Sequence, residues 1–171
     1  VPIYTAIRVE HREVAGGASP RARFGLKDNR IILYAGQLDL NESCTASGYD
    51  LVLPLRALPR ILEVAPDAML VFVGDGSGKE TLMKASESIG VHSKVLFTGF
   101  VPRNEALQWI DAADVVIVPY ADAANNKLTT PTKLMEYMAL GRPIVATRFP
   151  GIRELIEDGR NGLLYGVGSA N

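Results

Sequence analysis

Five short apolar runs, RIILYA, MLVFV, KVLFT, VVIVP and PIVAT, restrict the fold of this chain more than any other feature. Their apolar residues are consecutive rather than alternate, the pattern of a strand buried on both faces. The segments between them are too long for hairpin turns, and several carry apolar residues at helical spacing, as in Leu51, Leu55, Leu58, Ile61 and Leu62. Strand and helix in alternation build a parallel sheet with a helical layer on each side. With a further short run, NGLLY, near the end, the expectation is an α/β fold: a Rossmann-like, doubly wound parallel sheet of about six strands with helices on both faces.

Strands are expected at Arg30–Ala35, Met69–Val73, Lys94–Thr98, Val115–Pro119, Ile144–Ala146 and Asn161–Tyr165, with a further short one at Ile3–Val9. Helices are expected at Tyr49–Ala65, Gly78–Ile89, Arg103–Ala113, Pro131–Leu140 and Gly151–Glu157. A brief helix opens at Ser19 or Pro20 and closes at Gly25. Pro54 and Pro59 fall inside the first long helix, where each removes an N–H and shifts or kinks it. Residues 1–28 read as a linker or leading segment, and residues 29–171 as the folded domain. The start at Val1 and the small polar ending GVGSAN suggest a piece of a longer protein.

In such sheets ligands bind beyond the carboxyl ends of the strands. Those ends hold Gly36-Gln37, Gly74-Asp75-Gly76, Gly99-Phe100, Pro119-Tyr120 and Thr147 to Gly151. Glycine there admits a ligand to the backbone, or simply makes a turn.

The stretch TTPTKLMEYMALGRPIVAT adds chemistry. Thr130 suits the N-cap and Pro131 the first helical position. Leu134, Met135, Tyr137, Met138, Ala139 and Leu140 make the helix apolar nearly all round, as in a buried helix. Gly141 and Pro143 end it. Glu136 interrupts this apolar surface, and a buried carboxylate needs a partner or a task. Lys133, Arg142 or a solvated edge would satisfy it. Alternatively it accepts hydrogen bonds from ligand hydroxyls. The free N–H groups at Thr132 and Lys133, the helix dipole and the Lys133 ammonium together make an anion site. Phosphate at the helix start and sugar at Glu136 describe a nucleotide.

Several other chemistries fail on a missing part. GDGSGKET lacks the first glycine and the hydroxyl of a phosphate-binding P-loop, with Val73 and Glu80 in those places. It lacks the third glycine of a dinucleotide fingerprint, where Lys79 stands, and no acid closes the next strand. His11 and His92 lie in no ligand cluster, no Asp-x-Asp pair suggests a metal, and no G-x-S-x-G elbow is present. A net charge of −1 offers no attraction to nucleic acid, and one cysteine, Cys44, makes no internal disulfide. No apolar run is long enough to span a bilayer as a helix.

The segments ILYAGQL, LVFVGDGSGKETL, VLFTGFVPRNEAL, AADVVIVPY, TPTKLMEYMALGRPIVAT and GIRELIEDGRNGLLY, in that order, resemble the donor-binding half of GT-B glycosyltransferases of the GT4 type. The resemblance runs from about Arg30 to Tyr165. It implies that Glu136 holds the ribose hydroxyls of a nucleoside diphosphate sugar and that Phe100 and Val101 seat the base. Thr130, Pro131, Thr132 and Lys133 would take the phosphates and sugar, beside Gly36 and Gln37 after the first strand. It further implies a retaining, metal-independent hexose transfer from a UDP- or GDP-sugar to a glycan or lipid-linked acceptor, with no cofactor and no nucleic-acid partner. An N-terminal GT-B domain would supply part of the acceptor and catalytic sites, and the catalytic residues are not assigned. The setting implied is cytoplasmic, peripheral to the inner membrane in the full protein, in polysaccharide assembly.

Three positions depart from the family pattern. Leu128 stands where a first glutamate is usual, and Gln37 and Ser47 stand where an arginine and a lysine usually neutralise the leaving diphosphate. Pro131, Lys133 and Leu134 match a Pro-x-Lys-Leu branch, so Lys133 is the candidate to replace those cations, with Arg56 or Arg148 as others. A non-catalytic nucleotide-sugar-binding module and a GT-B-type sugar-nucleotide epimerase are the alternatives.

Overall fold

A computed structural model describes residues 19–40, 48–123, 126–127 and 130–167. The expectations for Ile3–Val9, His11, Cys44, Ser47 and Leu128 lie outside those residues. In chain order the elements are α1 (Pro20–Arg23), β1 (Arg30–Ala35), α2 (Leu53–Val64), β2 (Ala68–Val73), α3 (Lys79–Ile89), β3 (Val95–Phe97), α4 (Arg103–Ala112), β4 (Val115–Val118), α5 (Thr132–Ala139), β5 (Ile144–Thr147), α6 (Pro150–Arg153) and β6 (Leu163–Tyr165). A single 3₁₀ turn, His92–Lys94, leads into β3.

The six strands form one sheet in the order β3-β2-β1-β4-β5-β6, with every pair parallel. Alternate residues of each strand face opposite layers. Ile31 and Leu33 of β1 join the core under α4, α5 and α6, with Trp109, Leu134, Tyr137 and Ile152. Tyr34 joins the core under α2 and α3, with Leu55, Leu58 and Leu82. Each fully buried leucine stabilises the fold by about 2 kcal/mol through burial alone. The α2 side also carries an open apolar groove of about 740 Å³, lined in part by Ile32, Leu58, Val115, Ile117, Val145 and Tyr165. None of the residues assigned above to the ribose, phosphates or base lines it, and of the strand ends named there it touches Pro119.

The leading segment joins this core over its described part. The Ser19 hydroxyl caps α1 by accepting from the Ala22 N–H, and Leu26 is buried. Arg21 donates to the Ala112 carbonyl and pairs with Asp114 at 2.6 Å. The packing therefore shows no break at residue 28.

Three helices differ from expectation, the shortest being α6, which ends at Arg153 rather than at Glu157. The first long helix begins at Leu53 rather than Tyr49, because the Asp50 carboxylate accepts from the Leu53 N–H at 3.0 Å. That start puts Pro54 in the first turn, where its missing N–H costs nothing. Pro59 stays inside the helix, on its exposed side. The third is α5, which is not buried all round. Leu134, Tyr137 and Leu140 are buried against the sheet, while Thr132, Met138 and Ala139 face outward. A helix laid on a sheet buries one side only, so the methionine and alanine on the far side follow composition rather than burial. Its end follows expectation: Arg142 N–H reaches the Tyr137 carbonyl and Gly141 N–H the Met138 carbonyl, closing the last turn.

The rim above β1, β2 and β3 is locked by backbone bonds. Gly36 N–H donates to Val73, Leu38 N–H to Asp75, Gly74 N–H to Gly99 and Gly78 N–H to Leu38. Gly74, at φ 141°, sits so close that a Cβ would strike the Gly36 carbonyl oxygen. Gly74→Ala should therefore cost about 2 kcal/mol or more. Urea melts compared with wild type measure this, and an unchanged midpoint would contradict the packing described.

Candidate nucleotide-sugar site

The strand order reverses between β1 and β4, so the crevice above that pair is where this architecture leaves room for a ligand. The N-terminus of α5 opens there. Pro131 occupies the N-cap position, and no side chain caps the helix. The Thr130 hydroxyl, expected to cap, instead donates to the Gly151 carbonyl at 3.0 Å. The crossing chain at α6 has captured it. Among the described residues nothing accepts from the N–H groups of Thr132 and Lys133. Unfilled N–H groups and the positive dipole end favour an anion.

Lys133, one residue into the helix, turns its ammonium inward. Its Nζ lies 3.9 Å from the ring centroid of Tyr34 and 4.0 Å from that of Tyr49. It rests against Gly36, where a Cβ would approach Nζ to 2.6 Å. A side chain at position 36 would therefore displace the ammonium. No described carboxylate lies within ion-pair distance of Nζ. Burial pulls the Lys133 pKa down to about 7, with the Glu136 charge acting weakly in the other direction.

Glu136 stands nearly one turn further along α5. Its side chain is only 16% exposed, and Oε1 pairs with Arg103 Nη1 at 2.6 Å. This partner is neither Lys133 nor Arg142. The Lys133 ammonium is directed into the rings, and the turn at Gly141 carries Arg142 away to the Asp111 carbonyl. Oε2 has no described partner and remains available to a hydroxyl pair. Arg103 is the first residue of α4, so the ion pair ties α5 to the loop holding Phe100 and Val101. Phe100 is 81% exposed, and Val101 packs against the core beneath it. Asp75 borders the same loop, its carboxyl held below the ordinary range by the Gly76 N–H and by Lys79.

Gln37 is exposed, and its carbonyl accepts from the Tyr34 hydroxyl at 3.1 Å. Arg148 is committed to Asp158 and to the Leu164 carbonyl. Arg56 is an exposed residue of α2. Lys133, Glu136, Pro131, Thr132 and Gly36 thus gather around one end of α5, and Phe100 and Val101 join through Arg103. Sequence reasoning passed over Arg103, Tyr34 and Tyr49. Arg103 lay within a quoted motif, whereas nothing local distinguishes the two tyrosines from ordinary core residues.

A reversal of strand order in a parallel sheet, edged by an uncapped helix N-terminus and a shielded carboxylate, is the arrangement of a Rossmann-like ligand-binding domain. The fold is that of one half of a GT-B glycosyltransferase. The family model described as Glycosyl transferases group 1 matches residues 29–171, and the chain belongs to that family. The GDP-mannose-dependent alpha-(1-6)-phosphatidylinositol monomannoside mannosyltransferase of Mycolicibacterium smegmatis is 31% identical over 147 residues, covering 85% of this chain and 37% of that protein. The structure of Anabaena HepE in complex with UDP and glucose superposes with a TM-score of 0.69 at 24% identity, over 88% of this chain and 38% of that one. The C-terminal domain of the group 1 protein LpcC from Francisella tularensis gives a TM-score of 0.63 at 21% identity, over 83% and 69%. The chain spans a little over a third of the length of the first curated relatives it matches.

The depressed Lys133 pKa has a consequence for stability. The folded value of about 7 lies below that of the unfolded chain, at the ordinary 10.5. The unfolded state therefore binds the extra proton more strongly between those values, and stability rises with pH across that window. Below about pH 7 the full penalty applies. Lys133→Met should accordingly stabilise the chain by about 1–2 kcal/mol near neutral pH, the ring contacts offsetting the remainder. The gain should fade toward pH 10. Thermal melts of both proteins across this range check it, and a gain that grows with pH would contradict the assignment.

Proposed function

We propose that this chain is the nucleotide-sugar-binding domain of a retaining glycosyltransferase that moves a hexose from a nucleoside diphosphate to a glycan or lipid-linked acceptor. One observation carries the reading: a shielded carboxylate and a buried ammonium share one helix whose uncapped N-terminus lies at the end of β1. Glu136 accepts from the ribose hydroxyls. Lys133 and the N–H groups of Thr132 and Lys133 take the diphosphate, with Thr130, Pro131, Gly36 and Gln37 beside it. The turn at Phe100 and Val101 seats the base. As the bond between the sugar and the diphosphate breaks, negative charge builds on the leaving group. A fixed ammonium and helix dipole at that place lower the barrier.

The donor is a UDP- or GDP-sugar, a choice supported by the UDP in the HepE structure and the GDP-mannose dependence of the mycobacterial relative. The donor unit is residues 29–171 together with residues 19–28 packed on them, and an N-terminal GT-B domain completes the acceptor side. Transfer proceeds without a metal ion, and by this chain alone it is negligible. The setting is cytoplasmic, at the inner membrane where the acceptor is lipid-linked. Gln37 favours a second reading, a binding module without transfer chemistry, because a neutral side chain there leaves the diphosphate with fewer cations.

Calorimetric titration of the purified chain with UDP, GDP and ADP tests the reading. Saturable binding of UDP or GDP is expected. Glu136→Ala should weaken it roughly tenfold to a hundredfold, the effect of losing charged hydrogen bonds. Absence of binding by all three nucleotides, or binding indifferent to Glu136, would overturn it. Binding without transfer, once the N-terminal half is supplied, would select the module.

A further inference from the structure

The Lys133 ammonium is held in an unusual way. Most partly buried lysines meet a carboxylate, which occupies their N–H donors and cancels their charge. Here no described carboxylate reaches it, and two aromatic faces flank it at 3.9 and 4.0 Å. The faces are fixed from outside. Tyr34 is fully buried, its hydroxyl anchored on the Gln37 carbonyl, and its ring meets that of Tyr49 edge-on at 5.5 Å. Tyr49 is stacked on Tyr120 at 4.7 Å, and the chain segments carrying these two rings are bonded together by the Asp50 N–H to Pro119 and the Ala121 N–H to Gly48. The missing side chain of Gly36 makes room for the ammonium on a third side.

A π-face attracts a cation without accepting its hydrogen bonds in the manner of a carboxylate. The arrangement therefore fixes the ammonium while leaving its N–H donors and its charge for an anion. Resting on the nucleotide-sugar reading above, we propose that Tyr34 and Tyr49 are positioning residues for donor binding, an aromatic clamp that holds the Lys133 ammonium ready for the diphosphate oxygens. The titratable and charged groups around it are Tyr34 on β1, Tyr49 ahead of α2, Tyr120 beyond it, and Glu136 and Tyr137 on α5, with Asp39 acting on Tyr34. Burial pushes the tyrosine pKa values upward, so near neutral pH the rings are uncharged and Lys133 is the group that changes state. A diphosphate beside it raises its pKa again, so binding takes up a proton above about pH 7.

A double-mutant cycle on UDP or GDP affinity tests this, whichever nucleotide wild type binds. Tyr49→Leu removes one face and should weaken binding roughly threefold to thirtyfold. Tyr49→Phe and Tyr34→Phe keep the faces and should stay within about twofold. In a Lys133→Met background Tyr49→Leu should add less than about twofold, because its effect passes through the lysine. Equal losses in both backgrounds would overturn the clamp. A second readout needs no variant of the clamp. With ¹³C-labelled lysine, the Lys133 ε-methylene signal, assigned by its absence in Lys133→Met, should stand upfield of the other lysines through ring currents. Its shift should move when nucleotide is added. A signal among the other lysines in the free protein, or one unmoved by a nucleotide that does bind, would also overturn the clamp. If Glu136-dependent nucleotide binding persists in either failure, the donor-site reading survives. If wild type binds no nucleotide, that reading falls and the clamp with it.

Discussion

An ammonium removed from water at the carboxyl end of a parallel sheet is the arrangement on which the rim of this domain depends. Desolvation opposes it strongly enough to bring the Lys133 pKa to about 7. Two aromatic faces and a glycine with no side chain make it tolerable. Nothing in the stability of the fold calls for such a group, since an apolar side chain would fill the same space at lower cost. A destabilising cation kept at a ligand crevice belongs with function rather than with packing.

The remainder of the rim serves that placement. The strand order sets β1 beside β4, and in such sheets ligands sit beyond the ends of that pair. The N-terminus of α5 lies at this rim, and its first inward side chain, Lys133, rests against Gly36 and Tyr34 at the end of β1. Backbone bonds among the loops after β1, β2 and β3 hold Gly36 and Gly74 where no side chain fits. The Glu136–Arg103 pair then couples α5 to α4 and to the Phe100 loop. A hydroxyl acceptor, an anion seat and an exposed aromatic turn are thereby fixed relative to one another.

Much of the fold was legible because its signals are local. Runs such as RIILYA and VVIVP declare buried parallel strands on their own, and Gly141 with Pro143 ends α5 as written. Asp50 moved the start of α2 because its carboxylate takes the Leu53 N–H, and such a local side-chain bond overrides hydrophobic spacing at a helix end. The limits in the site were all long-range. Thr130 reads as a cap until the chain at Gly151 is seen to take its hydroxyl. Glu136 announces that it needs a partner, but Arg103 lies on another helix, and spacing along α5 can suggest only Lys133 or Arg142. The apolar character of α5 was overread, since Met138 and Ala139 face outward and only the sheet decides which side is buried. Tyr34 and Tyr49 gave no local sign of a cation between them.

The most direct measurement is a crystal structure of the chain grown with UDP or GDP. The ribose hydroxyls are expected within hydrogen-bonding distance of the Glu136 carboxylate, with the diphosphate against Lys133 Nζ and the first N–H groups of α5. A nucleotide bound elsewhere, in the apolar groove beside α2 for example, or one whose phosphates avoid α5, would contradict it.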